Sequence, residues 1–183
     1  ISANLLEVSA VRLYHDNVLA KQSGCGRTPW HFDDHHFPLD TNDVVTAWAP
    51  AQPTPIEMGP LSFAYPLDVH ELIKDVTFEK TGTGYDREVS NIFSKNNVSV
   101  NATPFELGEV SFHHNLNFHT ASSNRTNCSR IALANTYYRD GARVINSPTM
   151  VSGDWQKFMP NVKPGDIAAS PLNPICWPVK SEI

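Results

Sequence analysis

Fourteen prolines and nine glycines interrupt this chain so often that long helices have little room, and the runs between them are short and rich in Val, Phe, Tyr and Thr. Proline removes a backbone donor and breaks helix interiors, whereas β-branched and aromatic side chains suit a pleated, half-buried surface. The pattern predicts a mainly β domain with frequent turns and a few peripheral helices. Strands are expected at 44–49, 61–65, 109–114 and 130–138, and earlier at 11–15 and 18–21, either paired through an Asp16-Asn17 turn or joined as one bent strand. Residues 22–27 read as a loop leading into a strand that carries His31, and 70–76 as a short helix. Residues 81–103 are polar and without clear period, a loop long enough to be an active-site lid.

With 183 residues, 40% hydrophobic and 18% charged, the chain suits one domain over 1–183 with a packed core. Ile1 stands where an initiator methionine would, so further N-terminal chain and missing loops are expected. A net charge of −5 without a basic block argues against nucleic acid as partner. No apolar run approaches the roughly 20 residues that span a bilayer, and no signal-peptide pattern opens the chain. A soluble, cytoplasmic protein is expected. Three widely spaced cysteines fit neither a disulfide framework nor a thiolate metal site, and are expected to be reduced, mostly structural thiols.

The most chemically informative stretch is Thr28-Pro29-Trp30-His31-Phe32-Asp33. In a strand, His31 and Asp33 project to one side and Phe32 to the other. Two histidines and one carboxylate form the facial triad of non-haem Fe(II) oxygenases, which leaves positions open for co-substrate and O2. The third ligand must come from His15, His35, His36, His70, His113, His114 or His119, and spacing favours His119, which precedes the small polar run Thr120-Ala121-Ser122-Ser123-Asn124. Eleven residues further lies Arg130, whose strand face carries the small Ala132, Ala134 and Thr136. Small side chains beside a cation point to a cavity.

Taken in order, His31-Phe32-Asp33, Trp48, Gly59-Pro60-Leu61, Gly108-Glu109, His119, Asn124 and Arg130 resemble the phytanoyl-CoA dioxygenase family of Fe(II)/2-oxoglutarate-dependent oxygenases, over most of the chain, from about Val11 to Tyr138. The resemblance implies a double-stranded β-helix, or jelly-roll, core. It implies His31, Asp33 and His119 as iron ligands and Arg130 as partner of the distal carboxylate of 2-oxoglutarate. Trp48 would line the co-substrate pocket, and Lys21 stands where some members carry a lysine near the site. The chain departs from the family at Tyr65-Pro66-Leu67-Asp68-Val69-His70, on the substrate-side rim.

A charge count agrees with this ligand set. Fe(II) with two neutral imidazoles and one carboxylate carries about +1, and 2-oxoglutarate brings about −2, so one buried arginine balances the pocket. Arginine also binds a carboxylate in bidentate fashion. The implied reaction hydroxylates a small molecule with O2 and releases succinate and CO2, and Asp33 argues against halogenation. The alternatives are a non-catalytic jelly-roll module holding a metal or small ligand, and an isomerase or hydrolase on the same core. Further expectations are that His35 faces the pocket if the strand continues or else stands at a solvated strand end, that Asp34 and His36 point away, and that His113 and His114 are strand residues with local hydrogen bonds unless one of them, His114 before His113, stands beside the site. Asn124 and Ser122 would orient the ligand turn, and Trp48 could equally be core packing.

Overall fold

The computed structural model describes residues 1–79, 83–148 and 153–178. Two antiparallel sheets face each other. One has five strands in the order β6-β3-β8-β1-β9, and the other four in the order β2-β7-β4-β5. These strands are β1 (Val11–Lys21), β2 (Thr28–His31), β3 (Val44–Pro50), β4 (Leu61–Tyr65), β5 (Ser99–Ala102), β6 (Ser111–His114), β7 (His119–Ala121), β8 (Arg130–Arg139) and β9 (Ile175–Trp177). The curled pair is the mainly β, jelly-roll architecture that the residue pattern and the resemblance led us to expect.

The central strand β8 shows why the sheets close on one another. Arg130, Ala132, Ala134, Thr136 and Tyr138 are buried, while the intervening residues are partly or fully exposed. Between the sheets, Ala132 and Ala134 pack with Trp48, Leu61, Phe105 and Ala121. Small alanines on β8, beside Trp48 of the paired strand β3 and facing Leu61 and Ala121 of the other sheet, leave room for a cavity inside the sandwich.

Strand β1 is continuous rather than a hairpin. Its partner β8 pairs with Asp16 and Asn17 through Asn135 and Ala134, so no turn is needed, and a bulge between Leu13 and His15 supplies the bend. A larger difference lies in 81–103, expected as loop. Thr81 and Gly82 lie outside the described residues, but most of the rest forms helix α3 (Gly84–Lys95) followed by β5. Tyr85, Val89 and Phe93 repeat at four-residue intervals and bury one face of α3 against Val69 and Ile73 of helix α2 (Val69–Ile73) and against Phe118. The polar opposite face masks that period in the sequence. A third, one-turn helix spans Ser2–Leu5.

Cys25, Cys128 and Cys176 are free, as expected, yet the first two are exposed and the third half-buried rather than packed in the core. Among the described residues, no helix is long and apolar enough to cross a membrane.

Candidate metal centre

Strands β2 and β7 pair so that His31 lies opposite His119, with ring centroids 4.2 Å apart. Each imidazole is pinned by the backbone two residues before it. Nδ1 of His31 lies 2.8 Å from the Pro29 carbonyl, and Nδ1 of His119 lies 2.9 Å from the Asn117 carbonyl. A carbonyl only accepts, so both protons sit on Nδ1 and both Nε2 lone pairs are presented to the interior.

Strand β2 ends at His31, and Phe32 leads in extended conformation into a 3-10 turn, Asp33–His36. The turn is held from across the barrel: the N–H groups of Asp33 and Asp34 donate to the Asn115 carbonyl, and the buried Asn115 amide donates to Asp34 Oδ1. Asp33 Oδ1 thereby lies 3.5 Å from His31 Nε2 and 3.9 Å from His119 Nε2. The three donor atoms fall within 4.8 Å of one another, a spacing suited to one ion. The expected juxtaposition is present, although by strand plus turn rather than by one continuous strand.

The electrostatics favour a cation here. Burial lowers the pKa of both His31 and His119, which keeps their imidazoles neutral and able to ligate. Burial alone would raise the Asp33 carboxyl, but His119, His113 and His31 around it outweigh that and hold it well below the usual carboxylate range. Two neutral nitrogens and an ionised oxygen fit Fe(II).

The triad opens on a cavity of about 290 Å³, whose walls include Thr46, Trp48, Arg130 and Thr136. Arg130 is only 5% exposed. Its guanidinium carbon lies 5.3 Å from the Trp48 ring centroid, and Nη1 donates to the Gly59 carbonyl. Its buried Nε has no partner among the described residues, nor has Trp48 Nε1. A buried cation with unsatisfied donors on a cavity wall fits a carboxylate ligand. Trp48 is at once core and cavity wall.

Lys21 is not among the residues lining that cavity. It is buried, and Nζ donates to the carbonyls of Ala121 and Ser122, at 3.2 and 2.6 Å. Burial, and then the charge of Arg130 opposite it in the β1–β8 register, lower its pKa to about 8. Asn124 closes the same turn from within: its buried amide donates to the carbonyls of Lys21, Gln22 and Cys128. Gly59 completes the arrangement. At φ +73° it takes a left-handed conformation, and a Cβ there would sit 2.2 Å from the Ser122 carbonyl oxygen.

A family model for phytanoyl-CoA dioxygenase (PhyH) matches residues 2–132. The chain belongs to the phytanoyl-CoA dioxygenase family. That family is one of Fe(II)/2-oxoglutarate-dependent oxygenases. Comparison with curated protein sequences gives no match. Among solved structures, the chain is similar to the non-heme alpha ketoglutarate dependent carbocyclase SnoK from nogalamycin biosynthesis, with 24% identity and a TM-score of 0.74 over 96% of this chain and 65% of that one. The epimerase SnoN, in complex with Fe3+, alpha ketoglutarate and nogalamycin RO, matches at 20% identity and a TM-score of 0.71 over 95% of this chain and 68% of that one. EctD from S. alaskensis with bound Fe matches at 14% identity and a TM-score of 0.62 over 78% of this chain and 50% of that one. At these identities the likeness is one of fold. The chain spans half to about two thirds of the length of these structures.

Two histidines of this phytanoyl-CoA dioxygenase family member, His36 and His113, stand differently from expectation. The 3-10 turn brings His36 to the cavity wall, because strand parity ends at His31, and leaves His35 exposed, the solvated alternative, at the edge of a neighbouring cavity that Phe32 and Tyr85 also line. On β6, His113 and not His114 faces inward, since it pairs with Thr46, whose hydroxyl meets Thr136 between the sheets. Its Nε2 lies 3.6 Å from Asp33 Oδ2. His15, one of the candidate third ligands, lines the cavity without joining the triad; the β1 bulge that places it has no local residue signature.

Proposed function

We propose that this protein is an Fe(II)- and 2-oxoglutarate-dependent dioxygenase that hydroxylates a small-molecule metabolite. The observation that carries the proposal is the paired tautomer lock: His31 and His119 are each fixed through Nδ1, so that both Nε2 atoms converge on Asp33 Oδ1 in the cavity where Arg130 keeps an unsatisfied donor.

His31, Asp33 and His119 would hold the iron. Bound iron, with 2-oxoglutarate and O2, supplies the oxidation: one oxygen atom goes to a substrate C–H and the other leaves in succinate, with release of CO2. The protein's own groups bind and orient. Arg130 would take the distal carboxylate of 2-oxoglutarate, its plane steadied by Trp48 and by the Gly59 carbonyl. Lys21 serves the site by holding the Ala121-Ser122 turn rather than by touching the co-substrate. The inward Ala134 and Thr136 leave space for that ligand, and Trp48, Leu61 and Phe105 keep the pocket poor in water.

A second cavity of about 220 Å³ shares His31 and His36 with the first and is walled by Phe32, Ile73, Tyr85 and Phe118. It would receive an apolar part of the substrate and bring it beside the metal. Succinate formation that requires iron, O2 and 2-oxoglutarate together, and that His119→Ala abolishes, tests the proposal. A protein that binds the metal and 2-oxoglutarate but never forms succinate, with any of a panel of apolar metabolites, would be a binding module instead.

A further inference from the structure

The facial triad needs one carboxylate oxygen, and Asp33 has two. Oδ1 faces His31 and His119, while Oδ2 faces His113, whose Nε2 is 3.6 Å away. His113 is 5% exposed, reaches this point from β6 on the sheet opposite β2 and β7, and is fixed there by register with Thr46. Phe63 packs on both His113 and His119, with ring centroids at 5.5 and 6.0 Å. His113 is not one of the three donors that fall within a single ion's reach. Its own Nδ1 is buried without a partner among the described residues, and the residue lines both the triad cavity and a different one of about 450 Å³ that Ser111, Phe105 and Asn117 also line.

We propose that His113 is a positioning residue for the metal carboxylate, donating from Nε2 to Asp33 Oδ2 so that Asp33 binds through Oδ1 alone. The inference rests on the reading of Asp33 as a ligand. A separation of 3.6 Å exceeds a formed hydrogen bond, but such contacts commonly tighten when a site fills, and a metal drawing on Oδ1 fixes the carboxylate plane. With Oδ2 occupied, Asp33 takes one coordination position instead of two, which keeps the remaining positions open for a chelating co-substrate and O2. Partners of metal ligands typically change metal affinity by about 10–100-fold when removed.

The test uses Co(II), whose absorption bands report coordination number and whose affinity is read without turnover. His113→Phe keeps a ring in place but removes the donor, and His113→Gln restores an N–H at the position of Nε2. The expected result is Co(II) binding weakened about 10–100-fold with altered bands in His113→Phe, and largely recovered in His113→Gln. If His113→Phe does not fold, His113→Asn, too short to reach Asp33, takes its place. Parent-like affinity and bands in His113→Phe would overturn the proposal. So would equal weakening in His113→Phe and His113→Gln when all proteins share one thermal midpoint, because the role would then be packing. A parent that binds no Co(II) would overturn the triad itself, a result distinct from the other two.

Discussion

His31 and His119 are direct cross-strand partners, 88 positions apart in sequence and 4.2 Å apart between ring centroids. The β2–β7 register thus sets the spacing of the two nitrogen donors before any ion arrives. Only Asp33 depends on a turn, and Asn115 secures that turn from the loop just before β7.

Arg130→Ala should leave metal binding intact and weaken 2-oxoglutarate binding. Truncating one partner of a buried, hydrogen-bonded charge pair costs about 2–5 kcal/mol. Calorimetric titration of 2-oxoglutarate into Mn(II)-loaded protein reads the loss directly. Arg130→Lys should recover only part of it, since a lysine cannot present two parallel donors.

Gly59→Ala should destabilise the fold strongly. The new methyl meets the Ser122 backbone oxygen at 2.2 Å and the backbone is already left-handed, so no rotamer relieves the contact. Left-handed strain and overpacking together predict a loss of about 3 kcal/mol, visible as a lower urea midpoint.

Tyr85 ties α3 to β2, donating from its hydroxyl to the Trp30 carbonyl at 2.9 Å. Burial, and then Asp86, push its pKa up to about 12. A folded value above the unfolded value of 10 means that the bond's stabilisation is complete below pH 10 and disappears as pH rises through 12. Tyr85→Phe should therefore cost about 1 kcal/mol at pH 8 and progressively less above pH 10, measured by urea unfolding at each pH.

Lys21 has the opposite sign. Its folded pKa of about 8 lies below the unfolded 10.5, so the unfolded chain holds the proton longer. Its contribution to unfolding free energy should then rise between pH 8 and 10.5 and stay flat below pH 8. Lys21→Met should remove this rise while lowering stability overall, because the Ala121 and Ser122 carbonyls lose their donor.

The parts of the site that were legible in the sequence are those with a period or a fixed spacing. Arg130, Ala132, Ala134 and Thr136 alternate because β8 is buried on one face only, and His31 stands two residues from Asp33 in either a strand or a strand ending in a turn. What was hidden depends on partners far along the chain. Nothing local says that β2 stops at His31, since it stops where the Asn115 carbonyl captures the N–H groups of Asp33 and Asp34. The choice between His113 and His114 is decided by which of them pairs with Thr46. Helix α3 was readable in principle, through Tyr85, Val89 and Phe93, but Asn, Ser and charged residues on its other face dominate the composition of the segment.

The most direct test is anaerobic addition of 2-oxoglutarate to Fe(II)-loaded protein, followed in the visible range for the weak iron-to-co-substrate absorption of a chelate at a site with open positions. The account predicts a band in the parent, a weaker one at matched 2-oxoglutarate in Arg130→Ala, and none in Asp33→Ala. Iron bound in full with no band at any 2-oxoglutarate concentration would contradict it.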